Sequence, residues 1–398
     1  MIENRKYRLY PTPEQVSLLE ETLETCRKTW NYLLSKRKEG RVSKFEQDHD
    51  VYLQKQKNPS LRRIYSHVLQ NVSDRMDKSF RSFFKGIARC PKFKSFGRYN
   101  SFTYPDAYNG SVRLGTSLRR TKVYLSKIGY VPVVVHRKPS IGKNKRCTIK
   151  REGDKWFAIL EYQAIHAPGS PIVKKPKSPV GIDLGLLSLI ATSDGQTFKP
   201  AIPLGKHLKR LQHLQRSLCS KRKGSKNRHK AIQRISHLHW KIRSIRSDFN
   251  HKLSRSIVSR HDFFALEDLN IQGMVHNHNL ARPISDAGWN QLSSFVKYKA
   301  EREGKQVVFV SPYHTSTDCS RCGYRQVMPL SVRTFHCERC GFETDRDVNS
   351  ACEVLNRGLQ KIGVEPSKFK PVEKGVQSFN HWEIQPFQEA GIVESPDL

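Results

Sequence analysis

Acidic residues near the ends of three separate predicted elements, interrupted by a doubled CxxC, constrain this chain more than any other feature. Asp183 stands in VGIDLG, Glu267 in FFALEDLN, and Asp345 and Asp347 in DRDVNSA. Cys319/Cys322 and Cys337/Cys340 come just before the last pair, with fourteen residues between the two CxxC units. Any one of these acids alone reads as structural, since Asp and Glu are ordinary at strand ends and helix starts. A converging set would repel itself, and two divalent cations roughly 4 Å apart resolve that repulsion. Such a centre needs no serine, cysteine or histidine nucleophile.

Local pattern places the acids. In VGIDLG, period two puts Val180, Ile182 and Leu184 on one face and Gly181, Asp183 and Gly185 on the other. The glycines beside Asp183 leave room for a metal and a close phosphate backbone. In FFALEDLN the same period separates Phe264 and Leu266 from Ala265 and Glu267, and Glu267 closes the apolar run, where ligands collect in α/β sheets. In DRDVNSA, Asp345 suits a helix N-cap, while Asp347 falls in the first turn and could reach inward. Spacing leaves both open as the third acid.

The cysteines carry a separate signal. Each CxxC forms a knuckle, and two knuckles complete a tetrahedral S4 site. Cys319, Cys322, Cys337 and Cys340 are therefore candidate ligands of one structural Zn2+, with an iron–sulfur cluster as the weaker alternative. The five other cysteines are scattered singly, a pattern of reduced compartments. No secretory signal is visible, and no apolar run approaches the roughly 18 residues of a spanning helix. The expectation is a cytoplasmic protein.

Charge identifies the partner class. Net charge is +35, and residues 205–260 hold seventeen Lys/Arg against one acid, Asp248. That excess exceeds what solubility requires and favours polyanion binding through phosphate neutralisation. Lys221, Arg222, Lys223, Lys226, Arg228 and Lys230 are the candidate nucleic-acid contacts. Six histidines in the same stretch lack companion carboxylates or cysteines, so they do not read as a metal site.

Along the chain, a short strand YRLY precedes TPEQ, a capping box with Thr12 as N-cap and Pro13 first in the helix. Val16, Leu19, Leu23, Cys26, Trp30 and Leu33 then give one apolar stripe. A second helix carries Leu69, Val72, Met76, Phe80 and Phe83, with Arg75 on its polar face. Residues 91–165 alternate like strands of a small barrel, with EGD as a hairpin turn. A proline-rich linker follows. Next come a strand hairpin from Val180, one long helical stretch over 205–260, strand FFALE, a helix over DAGWNQLSSFVKYKAEREG, strand QVVFV and a last helix from DRDVNSA. Strands alternating with helices indicate an α/β domain. Residues 361–398, with four lysines against six acids, are expected to be disordered or loosely attached.

At these residues the chain resembles TnpB, the transposon-encoded RNA-guided nuclease family ancestral to type V CRISPR effectors. KYRLYPTPEQ, GIDLG, KGSKNRHKA, ALEDLNIQGM, SDAGWNQL, TSTDCSRCG, FHCERCG and DRDVNSA carry the resemblance in order. It implies an α/β RNase H-like (RuvC) nuclease domain over 179–314 and 344–360 with an inserted zinc ribbon over 315–343. It also implies an N-terminal wedge β-barrel over 1–10 and 91–165, split by a helical recognition insert over 11–90. Residues 166–178 would be the linker. By motif, Asp183, Glu267 and Asp347 would be catalytic and bind Mg2+, two ions in all. The implied partners are a guide RNA from the transposon end and double-stranded DNA beside a short fixed motif, with the protein a monomer. Base pairing would read the sequence while the protein reads helix shape and the motif. A catalytically silent RNA-guided DNA-binding regulator and a DNA-strand-joining transposase share these motifs. A zinc-ribbon nucleic-acid-binding protein with structural acids is the reading from another class.

Overall fold

Alternation at the start of the chain makes an edge-to-edge partner of the segment some 150 residues later. Tyr7 and Leu9 point inward from β1 (Ile2–Leu9), which pairs along its length with a strand reaching Ala164. The computed structural model describes residues 2–40, 42–115, 121–137, 139, 141–164, 176–329, 331–366 and 377–379. The chain divides into two units, 1–166 and 167–398.

In the first unit three helices follow β1. Helix α1 (Pro13–Glu39) begins at the Thr12–Gln15 capping box and buries Leu19, Leu23, Cys26, Trp30 and Leu33. Helix α2 (Lys44–Lys57) was not expected, although Ser43 and Glu46 form a second capping box at its start. It buries only Gln47 and Val51, so no apolar stripe announces it. Helix α3 (Ser66–Phe84) buries Val68, Leu69, Val72, Met76 and Phe80, whereas Phe83 lies 37% exposed at its end. Arg75 is a fastener rather than a free polar face. Its guanidinium donates to the Ser101 carbonyl (2.7 Å) and Thr103 Oγ1 (2.6 Å) of β2 (Ser101–Tyr104).

The remaining strands are β3 (Val112–Leu114), β4 (Lys122–Leu125), β5 (Gly129–Val134), β6 (Gly142–Glu152) and β7 (Lys155–Ala164). With β1 and β2 they form one antiparallel sheet in the order β2-β6-β7-β1-β5-β4-β3. Its two edge strands are consecutive in sequence. A flat sheet would hold them about 29 Å apart at about 4.8 Å per strand, and the link from Tyr104 to Val112 includes a 3-10 turn. The sheet therefore curls, and Tyr104 on one edge donates its hydroxyl to the Ser126 carbonyl beyond β4 (2.9 Å).

The second unit is built on a six-stranded sheet. Strands β8 (Pro179–Asp183), β9 (Ile190–Thr192) and β10 (Gln196–Phe198) run antiparallel in succession. Helices α4 (Pro203–Cys219) and α5 (Lys226–Arg260) follow, then β11 (Phe263–Glu267), which lies parallel to β8. Short α6 (Ile271–Met274), α7 (His278–Ala287) and α8 (Trp289–Arg302) lead to β12 (Gln306–Val310), parallel to β11. A small hairpin of β13 (Thr334–His336) and β14 (Glu343–Asp345) precedes α9 (Arg346–Lys361). The sheet order is β12-β11-β8-β9-β10-β15, where β15 is Gln377–Phe379.

The helical stretch expected over 205–260 is a hairpin of two helices. It turns at residues 220–225 and closes over Leu211, Leu238 and Ile242. The segment 361–398 is not wholly unstructured: α9 runs to Lys361, and Gln377–Phe379 pairs with the open edge of β10, stacking Phe379 on Phe198 at 5.3 Å. The rest of that segment, 367–376 and 380–398, lies outside the described residues, as do 166–175 of the expected linker.

Candidate active site and metal centre

The first two acids are neighbours by register. β8 and β11 run parallel with Ile182 beside Leu266, so Asp183 and Glu267 follow side by side at their carboxyl ends. Both faces of these strands are covered. Val180, Ile182, Phe264 and Leu266 share one core, while Phe263 and Ala265 pack on Val354, Leu355 and Leu359 of α9. Gly181 does not open space for a phosphate, as the sequence suggested. A Cβ there would lie 2.0 Å from the Ala351 carbonyl oxygen and 2.7 Å from the Leu355 nitrogen, so only glycine admits the α9 backbone. That contact sets the third acid. Asp347 lies one turn before Ala351, and Asp183 follows Gly181 on the same strand face.

Asp345 and Asp347 have different tasks. Asp345 is the N-cap of α9, its Oδ1 accepting from the backbone N–H of Asp347 (2.9 Å) and Val348 (3.2 Å). Asp347 is left with its carboxylate 3.8 Å from the Arg333 guanidinium, which is half exposed. Electrostatics tie the group together. Burial, then the charges of Glu267 and Asp347, hold the Asp183 carboxyl well above the usual carboxylate range. Burial raises Glu267, opposed by the Thr315 hydroxyl and the Arg357 charge. Burial and Asp345 raise Asp347, opposed by Arg333 and Arg346. Buried Glu267 and half-buried Asp183 and Asp347 thus place like charges within reach of one another, a repulsion of the kind that divalent cations relieve.

Sequence reading missed the groups that hold these acids. Thr315 Oγ1 donates to Glu267 Oε1 at 2.7 Å. Arg357 of α9 bridges Asp318 Oδ2 (3.0 Å) and Glu353 Oε1 (2.8 Å) and donates to the Ser311 and Tyr313 carbonyls. Buried Asn349 donates to the Asp318 carbonyl (2.9 Å) and accepts from the Ser320 N–H (3.0 Å). Thr315, Asp318 and Ser320 all lie in TSTDCSRCG, so the segment leading into the first knuckle is bolted to the helix bearing Asp347.

The four cysteines do converge. Their sulfurs lie within 4.8 Å of one another, with Cys319 and Cys340 at 3.8 Å and Cys322 and Cys337 at 3.6 Å. Ligands about 2.3 Å from one tetrahedral zinc would sit about 3.8 Å apart, so this donor set fits that ion. Each knuckle closes alike: the Gly323 and Gly341 N–H groups donate to the Cys319 and Cys337 carbonyls. Phe335 and Phe342 of the hairpin pack beside Cys319 and Cys337 in a small core of their own. Among the described residues, the acids do not draw into a comparably tight group.

The candidate nucleic-acid residues gather at one place, the tip of the α4–α5 hairpin. Arg222, Lys223, Lys226 and Lys230 are exposed, and Lys221 is half-buried with its Nζ donating to Ser217 Oγ (3.2 Å). Arg228 is the exception. Its guanidinium donates to the Leu218 (3.0 Å) and Lys221 (3.2 Å) carbonyls, satisfying the end of α4, so its first task is structural.

Comparison with known proteins places the chain in a family. Residues 160–278 match the family model OrfB_IS605, described as "Probable transposase". Residues 289–354 match "Cas12f1-like, TNB domain", and residues 1–42, here β1 and α1, match "Helix-turn-helix domain". A Streptomyces pristinaespiralis protein described as "Putative RNA-guided DNA endonuclease" is 30% identical over 377 residues, 89% of each chain. InsQ of Escherichia coli K12, described in the same words, is 29% identical over 310 residues, 74% of each chain. A mimivirus relative, 22% identical over 390 residues, is described as "TnpB-like protein L770". In fold, the chain resembles Cas12f1 in its complex with sgRNA and target DNA: TM-score 0.58 at 11% identity, covering 89% of this chain and 99% of that one. With acids, cysteines and topology placed as they are, and a relative this similar along almost its whole length, the chain belongs to the TnpB family.

Proposed function

We propose that this protein is an RNA-guided, metal-dependent endonuclease that cuts double-stranded DNA beside a short fixed motif, using a guide RNA from the transposon end. The observation that carries the reading is that β8, β11 and α9 bring Asp183, Glu267 and Asp347 near enough for the charges of the other two to raise Asp183. The strand order, an antiparallel hairpin series flanked by two parallel strands, supports an RNase H-like (RuvC) domain over 179–314 and 344–360. The curled sheet and the helices between β1 and β2 support a wedge barrel split by a recognition insert. In this reading the protein acts as a monomer in the cytoplasm. No helix among the described residues is long and apolar enough to cross a membrane.

Asp183, Glu267 and Asp347 would hold two Mg2+ ions, and Cys319, Cys322, Cys337 and Cys340 one structural Zn2+. Bound Mg2+ would activate water and stabilise the leaving oxygen of the phosphodiester. The chain itself orients Glu267 through Thr315 and places Asp347 through the Asp345 cap. It presents the Arg333 guanidinium beside the third acid. Lys221, Arg222, Lys223, Lys226 and Lys230 would contact phosphates of the guide–target duplex without reading sequence.

The test is to sequence the RNA that copurifies with the protein and to assay that complex on matched plasmid DNA with Mg2+ or EDTA. The reading expects one RNA species ending in transposon-end sequence and Mg2+-dependent linearisation. Binding without cutting would make the protein a silent regulator, and joined DNA ends would make it a transposase.

A further inference from the structure

The SDAGWNQL segment has no part in metal or cysteine chemistry, yet it touches both the loop after Asp183 and the basic hairpin. Its Asp286, 7% exposed, caps α4 from outside that helix. Its carboxylate accepts from the Leu204 and Gly205 N–H groups, both at 3.0 Å, where the N-cap residue Ile202 has no side-chain oxygen to offer. Arg246 of α5 closes the junction, donating from Nε to the Asp286 carbonyl and from Nη2 to Asp286 Oδ1, both at 2.8 Å. Gly288, at φ +69°, turns the chain from α7 into α8, and a Cβ there would lie 2.8 Å from Arg246 Cδ. The next residue, buried Trp289, donates its indole N–H to the Gly185 carbonyl at 3.1 Å. Gly185 is two residues beyond Asp183 and starts the turn into β9, its own N–H donating to the Leu189 carbonyl (3.3 Å).

An indole N–H has one donor and no acceptor, so its direction is fixed by the ring. The ring is fixed in turn by the core it fills with Leu184, Leu189 and Phe249. The guanidinium of Arg246 is turned inward, unlike the exposed charges at the hairpin tip, so a charge counted with the basic stretch serves the nuclease sheet instead. We propose that Trp289 is a positioning residue for Asp183, held in place by the Arg246–Asp286 junction. The proposal rests on Asp183 being a metal ligand, as read above. Losing the indole N–H or the guanidinium frees the Gly185 carbonyl, loosens the turn after β8 and spreads the orientations of the Asp183 carboxylate. A metal must then select the productive one.

The experiment compares full-length Trp289→Phe and Arg246→Gln with a hairpin-tip variant neutralised at Lys221, Arg222 and Lys223. Hydrogen exchange of the unloaded protein reads the turn directly. Both junction variants should speed exchange at the Gly185 and Leu189 amides about tenfold or more, and the tip variant should not. Loaded with their copurifying RNA, the junction variants should need several-fold more Mg2+ for half-maximal cleavage while keeping the salt dependence of nucleic-acid binding. The tip variant should do the reverse. Wild-type exchange at Gly185 and Leu189 in both junction variants overturns the proposal, as does an unchanged Mg2+ requirement. A changed salt slope in Arg246→Gln would return that residue to the nucleic-acid surface. If the wild-type protein does not cleave at all, the proposed function fails, and the exchange result still decides whether Trp289 and Arg246 hold the turn.

Discussion

At the scale of single residues, two aspartates two positions apart do different work. Asp345 spends an oxygen on the N–H groups of Asp347 and Val348, whereas Asp347 has a facing charge and no backbone to cap. Asp345→Ala should therefore destabilise the protein by about 0.5–2 kcal/mol as a lost cap and retain Mg2+-dependent cleavage. Asp347→Ala should abolish cleavage with binding nearly intact. Parallel melting curves and cleavage assays check the pair, and the opposite pattern would exchange the two roles. The raised acids also set the direction of a pH effect. Between the unfolded carboxylate range near pH 4 and their raised values, Asp183, Glu267 and Asp347 keep protons in the metal-free folded state that the unfolded chain has released. Their share of the metal-free stability should fall as pH rises through that window, and added Mg2+ should offset the loss. Thermal melts of wild type and Asp183→Asn in EDTA and in Mg2+ from pH 4 upward isolate that share, and a wild-type stability that falls no more steeply with pH than the variant's would contradict the crowding of the acids.

At the scale of elements, pattern strength decided what could be read from sequence. Helix α1 has a capping box and a continuous apolar stripe, and both signals appear in the structure. Helix α2 has the box and almost no stripe, because Val51 and Gln47 are its only buried side chains and polar contacts such as Lys44–Asp74 (2.7 Å) supply other attachments. The break in the basic stretch was hidden because leucines continue on both sides of it, while Gly224 turns at φ +84° in between. The doubled CxxC was readable because ligand spacing is local. The bolts from Asn349 and Arg357 to Asp318 beside the first knuckle were not, because they join residues about thirty to forty apart. Metal analysis should find about one zinc per chain, lost with Cys319→Ser, and amides around the four cysteines should then exchange faster because structural zinc contributes folding energy. Full activity without zinc would contradict that. Neutralising Lys221, Arg222 and Lys223 together should weaken every guide–target pair about equally. Each lost phosphate contact should reduce the log–log salt slope by up to about 0.9. A shifted motif preference with an unchanged slope would mean that the hairpin tip reads bases.

At the scale of the whole molecule, the acids could be found in sequence because each ends an apolar strand or starts a helix. Their convergence could not, since it depends on α9 lying against Gly181 and on the parallel register of β8 and β11. The central claim is that this convergence cuts DNA chosen by a bound RNA. The most direct measurement compares wild type with Asp183→Ala, both loaded with the copurifying RNA, on supercoiled plasmid carrying the matched target. Wild type should linearise the plasmid in Mg2+ and not in EDTA. Asp183→Ala should bind RNA and target DNA as wild type does and cut nothing, because the proposed task of the carboxylate is to hold metal rather than the duplex. Cleavage by Asp183→Ala at the wild-type rate would contradict the account.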